Sequence, residues 1–103
     1  MKFKLKGIIK LSKEVPGIED DLEKFFTEAE SDILRRGVPE GQEHEAAHIK
    51  SWRLEGDTLH IEMESGRRVR AHDGLLRLKK PLGQLLGPKY RVGVRGISVT
   101  DYT

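Results

Sequence analysis

The sequence predicts an α+β domain: one antiparallel sheet with two main helices on one of its faces, in the order β-α-β-β-α-β. Three observations predict it. Apolar residues alternate at a period of two near the start, around residues 59–63 and again after residue 90. Two longer stretches, beginning at Ile18 and Leu75, carry apolar residues at the spacing of one helical face. Glycine and proline punctuate the joins.

The first element is a strand. Phe3, Leu5, Ile9 and Leu11 fall on one side with Gly7 between them, and Lys2, Lys4, Lys6 and Lys10 take the other. Val15-Pro16-Gly17 ends it. A helix follows, because Ile18, Leu22, Phe25, Phe26, Ala29, Ile33 and Leu34 recur on one face. Its first turns hold Glu19, Asp20, Asp21 and Glu23, which suit the positive end of the helix dipole, and Arg35 and Arg36 suit the negative end. Gly37 is the expected stop, and Pro39 prevents the helix from resuming. Glu40 to His48 reads as a polar loop. Ile49, Trp52 and Leu54 open a second strand with imperfect alternation, Gly56-Asp57 makes a two-residue hairpin turn, and Leu59, Ile61 and Met63 alternate cleanly with polar residues in a third. Ser65-Gly66 marks a turn, and Arg67 to Ala71 reads as a short extended piece.

Asp73 is the expected N-cap of a second helix, whose face is Leu75, Leu76, Leu78, Leu82, Leu85 and Leu86, with Gly87-Pro88 at its end. Pro81 falls inside it. Proline lacks the interior donor and clashes with the preceding turn, so the helix is expected to kink or split there. Tyr90, Val92 and Val94 form the last strand, and the apolar phase then shifts to Ile97 and Val99. A one-residue shift at Arg95-Gly96 is what a β-bulge produces. The order as a whole is the split βαβ, or ferredoxin-like, arrangement, which leaves one sheet face open.

The 103 residues suit one small domain over 1–103, and the hydrophobic fraction of 36% is enough for one core. There is no cysteine, hence no disulfide and no thiolate metal site, as expected of a reducing cytoplasm. No apolar run approaches the roughly 20 residues of a membrane-spanning helix, and the alternating start does not read as a signal peptide. The chain therefore reads as a soluble, cytoplasmic protein with no membrane partner.

The net charge of +2 conceals an asymmetry. From Gly66 to Arg95 there are nine basic residues (Arg67, Arg68, Arg70, Arg77, Lys79, Lys80, Lys89, Arg91 and Arg95) against the single acid Asp73, a net of +8. The remainder holds ten bases and sixteen acids, a net of −6. One basic surface on an otherwise acidic domain points to a polyanionic partner. Arg77 and Lys80, three apart, share a helix face with Lys79 on its flank, a spacing that can meet successive backbone phosphates. Arg91 and Arg95 are expected to point the same way along the last strand. The sparse aromatics suit recognition of RNA through shape and phosphates rather than base stacking. One or two of these arginines are expected instead to brace the acidic first helix.

No catalytic constellation emerges. His44 and His48, four apart, could hold a metal on a helix, but they fall in a loop with no third ligand. His60 lies on the polar face of a strand and reads as exposed. Ser65-Gly66 lacks the glycine pattern of a nucleophile elbow, and neither Gly83 nor Gly87 precedes the Gly-Lys-Ser/Thr of a phosphate loop.

Ser65-Gly66-Arg67-Arg68-Val69-Arg70-Ala71-His72-Asp73, continuing through Arg77-Leu78, Lys80, Leu82, Leu86-Gly87 and Lys89 to Gly93-Val94-Arg95-Gly96-Ile97, resembles the methanogen-type (type 2, archaeal) seryl-tRNA synthetases. Arg36-Gly37-Val38-Pro39-Glu40-Gly41-Gln42 matches the family's early loop, so the resemblance runs over essentially the whole chain. It implies the N-terminal tRNA-binding domain of a serine–tRNA ligase, which binds serine tRNA chiefly through the long extra arm and catalyses nothing itself. Position by position it implies RNA contacts at Arg36, Arg77, Lys80 and Arg95, with Arg70 and Lys79 secondary. It implies no cofactor in this chain, ATP and zinc belonging to a separate class II catalytic domain that is absent here. It also implies a homodimeric parent and a domain that continues past Thr103 with further strands. Two rival functions are a protein-interaction module using the open sheet face or an edge, and a small metal or ligand sensor built on His44 and His48.

Overall fold

A computed structural model describes residues 3–42 and 45–101. The elements are β1 (Phe3–Leu11), α1 (Glu19–Ser31), a 3-10 turn (Ile33–Arg35), β2 (His48–Glu55), β3 (Thr58–Ser65), α2 (Arg68–Tyr90) and β4 (Val94–Asp101). The sheet is antiparallel in the order β2-β3-β1-β4. This is the expected β-α-β-β-α-β arrangement, with the two halves interleaved so that β1 and β3 are central.

The period-two pattern places the core. Leu5, Ile9 and Leu11 of β1 and Leu59, Ile61 and Met63 of β3 are buried on the helix side. Leu22, Phe26 and Ala29 of α1 and Leu75, Leu78, Leu82 and Leu86 of α2 close over them. Each leucine, isoleucine, methionine and phenylalanine among them contributes about 1.5–3 kcal/mol on burial. Gly7 sits in the middle of β1 because α2 lies directly upon it: a Cβ there would stand 2.5 Å from Leu75 Cδ2. The opposite face is polar except for Ile8, with Lys4 across from Glu64, Lys6 from Glu62 and Lys10 from Thr58. His60 is more sheltered on that face than expected. Its side chain is only 17% accessible, and its Nε2 lies 3.4 Å from Glu55.

The hairpin forms as read, with Gly56 at positive φ and Asp57 not, as in a type II′ turn. The untidy alternation of β2 is a register shift between Ile49 and Ser51, which leaves Lys50 as an extra residue. The Ile49 amide on this edge strand donates to Glu30 Oε1 at 3.2 Å. The bulge expected in β4 is present too: Lys10 faces Gly96 and Leu11 faces Val94, so Arg95 is the extra residue.

Three expectations are corrected. The first helix does not run to Arg36. It ends at Ser31, whose hydroxyl bonds back to the Glu28 carbonyl, and Asp32 leaves helical geometry at φ −123° and ψ −74°. Short polar side chains compete in this way with the helix ladder. Arg35 therefore closes a separate 3-10 turn, and Arg36 follows it.

The second helix starts earlier than Asp73 and ends later than Gly87-Pro88, and it is not split at Pro81. Arg68 to Ala71 is its beginning rather than an extended piece, since the buried stripe already includes Ala71, and only Arg67, the N-cap, is extended. The Ser65 hydroxyl accepts from the Arg67 amide and donates to the Glu45 carbonyl, which secures the entry. The helix continues through Pro81 and Pro88. A proline inside a helix costs about 3 kcal/mol. The completely buried Leu78, Leu82 and Leu86 outweigh that penalty.

The last strand starts at Val94, not Tyr90. Tyr90 closes α2, and Arg91 takes the left-handed conformation (φ 56°) with its amide on the Gly87 carbonyl. Arg91 thus precedes the strand and does not line up with Arg95.

One polar knot ties the helices together at the end opposite the 3-10 turn. Lys89 Nζ lies 2.9 Å from Asp21 Oδ2, and the Tyr90 hydroxyl donates to the same oxygen. The Tyr90 hydroxyl first, and the Lys89 ammonium after it, hold the Asp21 carboxyl below its ordinary range. Among the described residues no helix is long and apolar enough to cross a membrane.

Two outcomes test this packing. Gly7→Ala should lower stability by about 1–3 kcal/mol through overpacking, measured by urea unfolding, and Leu75→Ala in the same chain should recover part of the loss from the Gly7→Ala clash. Because the folded Asp21 value is depressed, its contribution is fully present above the unfolded value and disappears as pH falls through the folded one. Asp21→Asn should accordingly lose less stability than the parent when acidified below about pH 4, as read by thermal melts across that range.

Candidate nucleic-acid interface

Four residues of α2 fall in one line along its surface: Arg70, Asp73, Arg77 and Lys80, separated by three, four and three positions. Arg77 and Lys80, three positions apart on a continuous helix, stand side by side. The 3-10 turn packs against the same part of the helix. Gly74 makes that possible, since a Cβ there would lie 3.0 Å from both Leu34 Cδ2 and Ala47 Cβ. Arg36, just beyond the turn, is thereby brought beside Arg77.

The result is a depression of about 400 Å³ lined by Ile33, Arg36, Gly37, Arg77, Lys80 and Pro81. Arg77 is held from two sides. Its Nε lies 2.8 Å from Asp73 Oδ2, and its Nη1 donates to the Arg36 carbonyl at 2.8 Å. Arg36 grips Asp32 through two hydrogen bonds, Nε to Oδ1 at 3.2 Å and Nη2 to Oδ2 at 3.0 Å. Those bonds to Asp32 raise the Arg36 guanidinium above its ordinary value. Lys80 and its flanking neighbour Lys79 are exposed. Such a cluster of cations around a concave surface can take a phosphate backbone.

The other expected contacts lie elsewhere. Arg70 is half-buried, and its Nε is enclosed with no hydrogen-bond partner, so part of its guanidinium faces inward. Arg95 is exposed at the β4 bulge. It lines a separate recess of about 330 Å³ with Lys10, Leu11, Asp57 and Gly96, at the end of the sheet where α2 finishes. From Arg77 to that end the helix runs about 20 Å. The structure therefore unites Arg36, Arg77 and Lys80, keeps Lys79 on the flank, and leaves Arg95 apart. Among the described residues the brace to the acidic first helix is a lysine, Lys89, rather than the expected arginine. Two site residues escaped the sequence reading: Asp32 and Asp73, which hold the two arginines. The spacing of four that joins each pair was the available signal.

His48 lies in β2 with its Nδ1 3.3 Å from Glu30, and His44 falls outside the described residues. Among the described residues no three His, Cys, Asp or Glu side chains gather as metal ligands.

Comparison with known proteins decides the family of the domain that carries this surface. A family profile described as a tRNA-binding domain matches residues 1–103. The chain belongs to that family. This tRNA-binding domain is 49% identical over 102 residues to the type-2 serine–tRNA ligase of Methanothrix thermoacetophila, covering 99% of the chain and 20% of that protein. It is 45% identical over 101 residues to the enzyme of the same name from Methanocaldococcus jannaschii, covering 97% of the chain and 19% of that protein. The chain thus spans about a fifth of the length of these relatives. In three dimensions it matches M. kandleri SerRS, solved in complex with A. aeolicus tRNASec, with a TM-score of 0.87 and 40% identity over 95% of the chain and 19% of that protein. A designed protein with a ferredoxin fold matches over 99% of the chain and 83% of its own length, with a TM-score of 0.56 at 13% identity, which supports the fold alone.

Pro81 lines the depression, and its effect on the helix can be measured. Pro81→Ala restores a donor for the Arg77 carbonyl and should stabilise the tRNA-binding domain by about 1–3 kcal/mol in urea unfolding. A drop in stability would mean that the helix depends on a bend at this position.

Proposed function

We propose that this chain is the tRNA-recognition part of a serine–tRNA ligase and that it takes serine tRNA, chiefly its long extra arm, on the surface formed by α2 and the 3-10 turn. The observation that carries the proposal is the convergence of Arg36, Arg77 and Lys80 on one depression in a domain of the tRNA-binding family. The cations suit phosphates, and the concave surface with no projecting aromatic suits a duplex read by shape. Lys79 contacts the backbone from the flank, Arg70 through the exposed part of its guanidinium, and Arg95 as a second anchor about 20 Å further along. The chain binds and does not catalyse. The serylation chemistry, with its ATP and zinc, belongs to a catalytic domain elsewhere in the ligase, and the setting is the cytoplasm. The interaction-module reading finds little support, since the open sheet face, apart from Ile8, is a ladder of lysines facing acids and a hydroxyl rather than an apolar surface.

The test is the affinity of the 103-residue chain for serine tRNA, with and without its extra arm, at two salt concentrations. Affinity should fall with salt and fall again when the arm is removed. Arg77→Ala with Lys80→Ala should weaken binding by roughly tenfold or more and reduce the log–log salt slope by about 1 for each phosphate that is no longer neutralised. An unchanged slope would place the RNA elsewhere on the domain, and equal affinity for both RNAs would reduce the surface to a generic polyanion site.

A further inference from the structure

The two arginines of the depression are not bare. Each is occupied by a carboxylate four residues earlier in the chain: Arg36 by Asp32 and Arg77 by Asp73. Asp73 is the one acid in the basic stretch from Gly66 to Arg95, and it stands on the arginine at the centre of the depression. The lysines are different. No carboxylate holds Lys79 or Lys80 among the described residues.

The geometry of the occupied arginines resembles that of a bound phosphate. Arg36 meets the two Asp32 oxygens through Nε and Nη2, the side-on fork that a phosphate would also engage. Asp73 sits on Nε of Arg77 at 2.8 Å, while Nη1 is fixed separately to the Arg36 carbonyl. If Asp73 lets go, that carbonyl still aims the guanidinium. Both pairs are solvent-exposed, with side-chain accessibilities of 64% and 65% for Arg36 and Asp32 and of 40% and 53% for Arg77 and Asp73. Exposed pairs at this spacing are weak and exchange readily.

Resting on the tRNA-binding reading above, we infer that Asp32 and Asp73 are specificity-setting residues that stand in for phosphate on Arg36 and Arg77 and yield only to an RNA whose shape delivers phosphates to both. An RNA that reaches Lys79 and Lys80 alone gains their attraction but meets the two carboxylates as repulsion, so loose binding to any duplex is held down. An RNA that fits the depression displaces both carboxylates at once and engages both guanidinium forks. The acids therefore lower affinity for every RNA, and lower it most for the wrong one.

The experiment compares the parent chain with Asp32→Asn, Asp73→Asn and the double variant, against serine tRNA with and without its extra arm, over a range of salt. Glu19→Gln, an exposed residue in the first turn of α1 with the same charge change, serves as control. Each asparagine should raise affinity for the arm-less tRNA by roughly threefold to tenfold, raise it less for the intact tRNA and steepen the salt slope. The ratio between the two RNAs should narrow, and the control should change either affinity by less than about twofold. These ranges are of the order expected for one neutralised charge near a phosphate. Weaker binding in the asparagine variants would mean that the acids only position the arginines, and an effect no larger than the control's would mean that net charge alone acts; either overturns the inference. A parent chain without salt-dependent affinity for any tRNA would instead overturn the functional reading on which it stands.

Discussion

The contact between Gly7 and Leu75 sets the terms for everything above it. A strand at the centre of a sheet gives up its side chain at one position, and the longest helix settles into the gap. Leu75, Leu78, Leu82 and Leu86 then bury completely against β1 and its neighbours. That burial is large enough to carry the helix past two prolines. With the inner stripe fixed on the sheet, the outer stripe of Asp73, Arg77 and Lys80 is fixed as well, since side chains three and four apart keep their relation along an unbroken helix.

The second requirement is that α1 stop early. Had the first helix run on to Arg36, its last turn would have carried that arginine along the axis of α1. The back-bond from Ser31 and the departure of Asp32 end the helix, and the 3-10 turn redirects the chain toward Gly74 of α2. The Arg36 carbonyl then becomes an acceptor for Arg77, and the two guanidiniums share one depression. The site is thus made by a helix that persists where proline would stop it and another that stops where its apolar spacing would continue.

Much of this was legible in the sequence. The period-two strands, the hairpin at Gly56-Asp57 and the β4 bulge follow from local spacing and steric rules, and the structure has each of them. The charge asymmetry pointed to α2, whose Arg77 and Lys80 line the depression with Arg36. What the sequence did not disclose depends on tertiary packing. Pro81 reads locally as a break, and only the burial of the leucines on both sides shows why it is not one. Arg91 looks like a strand residue by alternation, yet the left-handed closing turn of α2 claims it. Arg95 belongs to the basic stretch in sequence but to the far end of the sheet in space. The carboxylates on Arg36 and Arg77 were within reach of a spacing argument, since both lie four residues upstream.

The Glu30 carboxylate on the Ile49 amide has a consequence for the chain's behaviour in a crowded cell. A sheet edge presents unpaired amides that can recruit a strand from another molecule. At β2 one such amide is already taken by a side chain from α1, and one residue further on the Lys50 bulge spoils the regular register. An incoming strand would have to dislodge a charged group and tolerate a broken ladder at the same place. That edge of the sheet is therefore a poorer template for an added strand than a flat, regular edge would be.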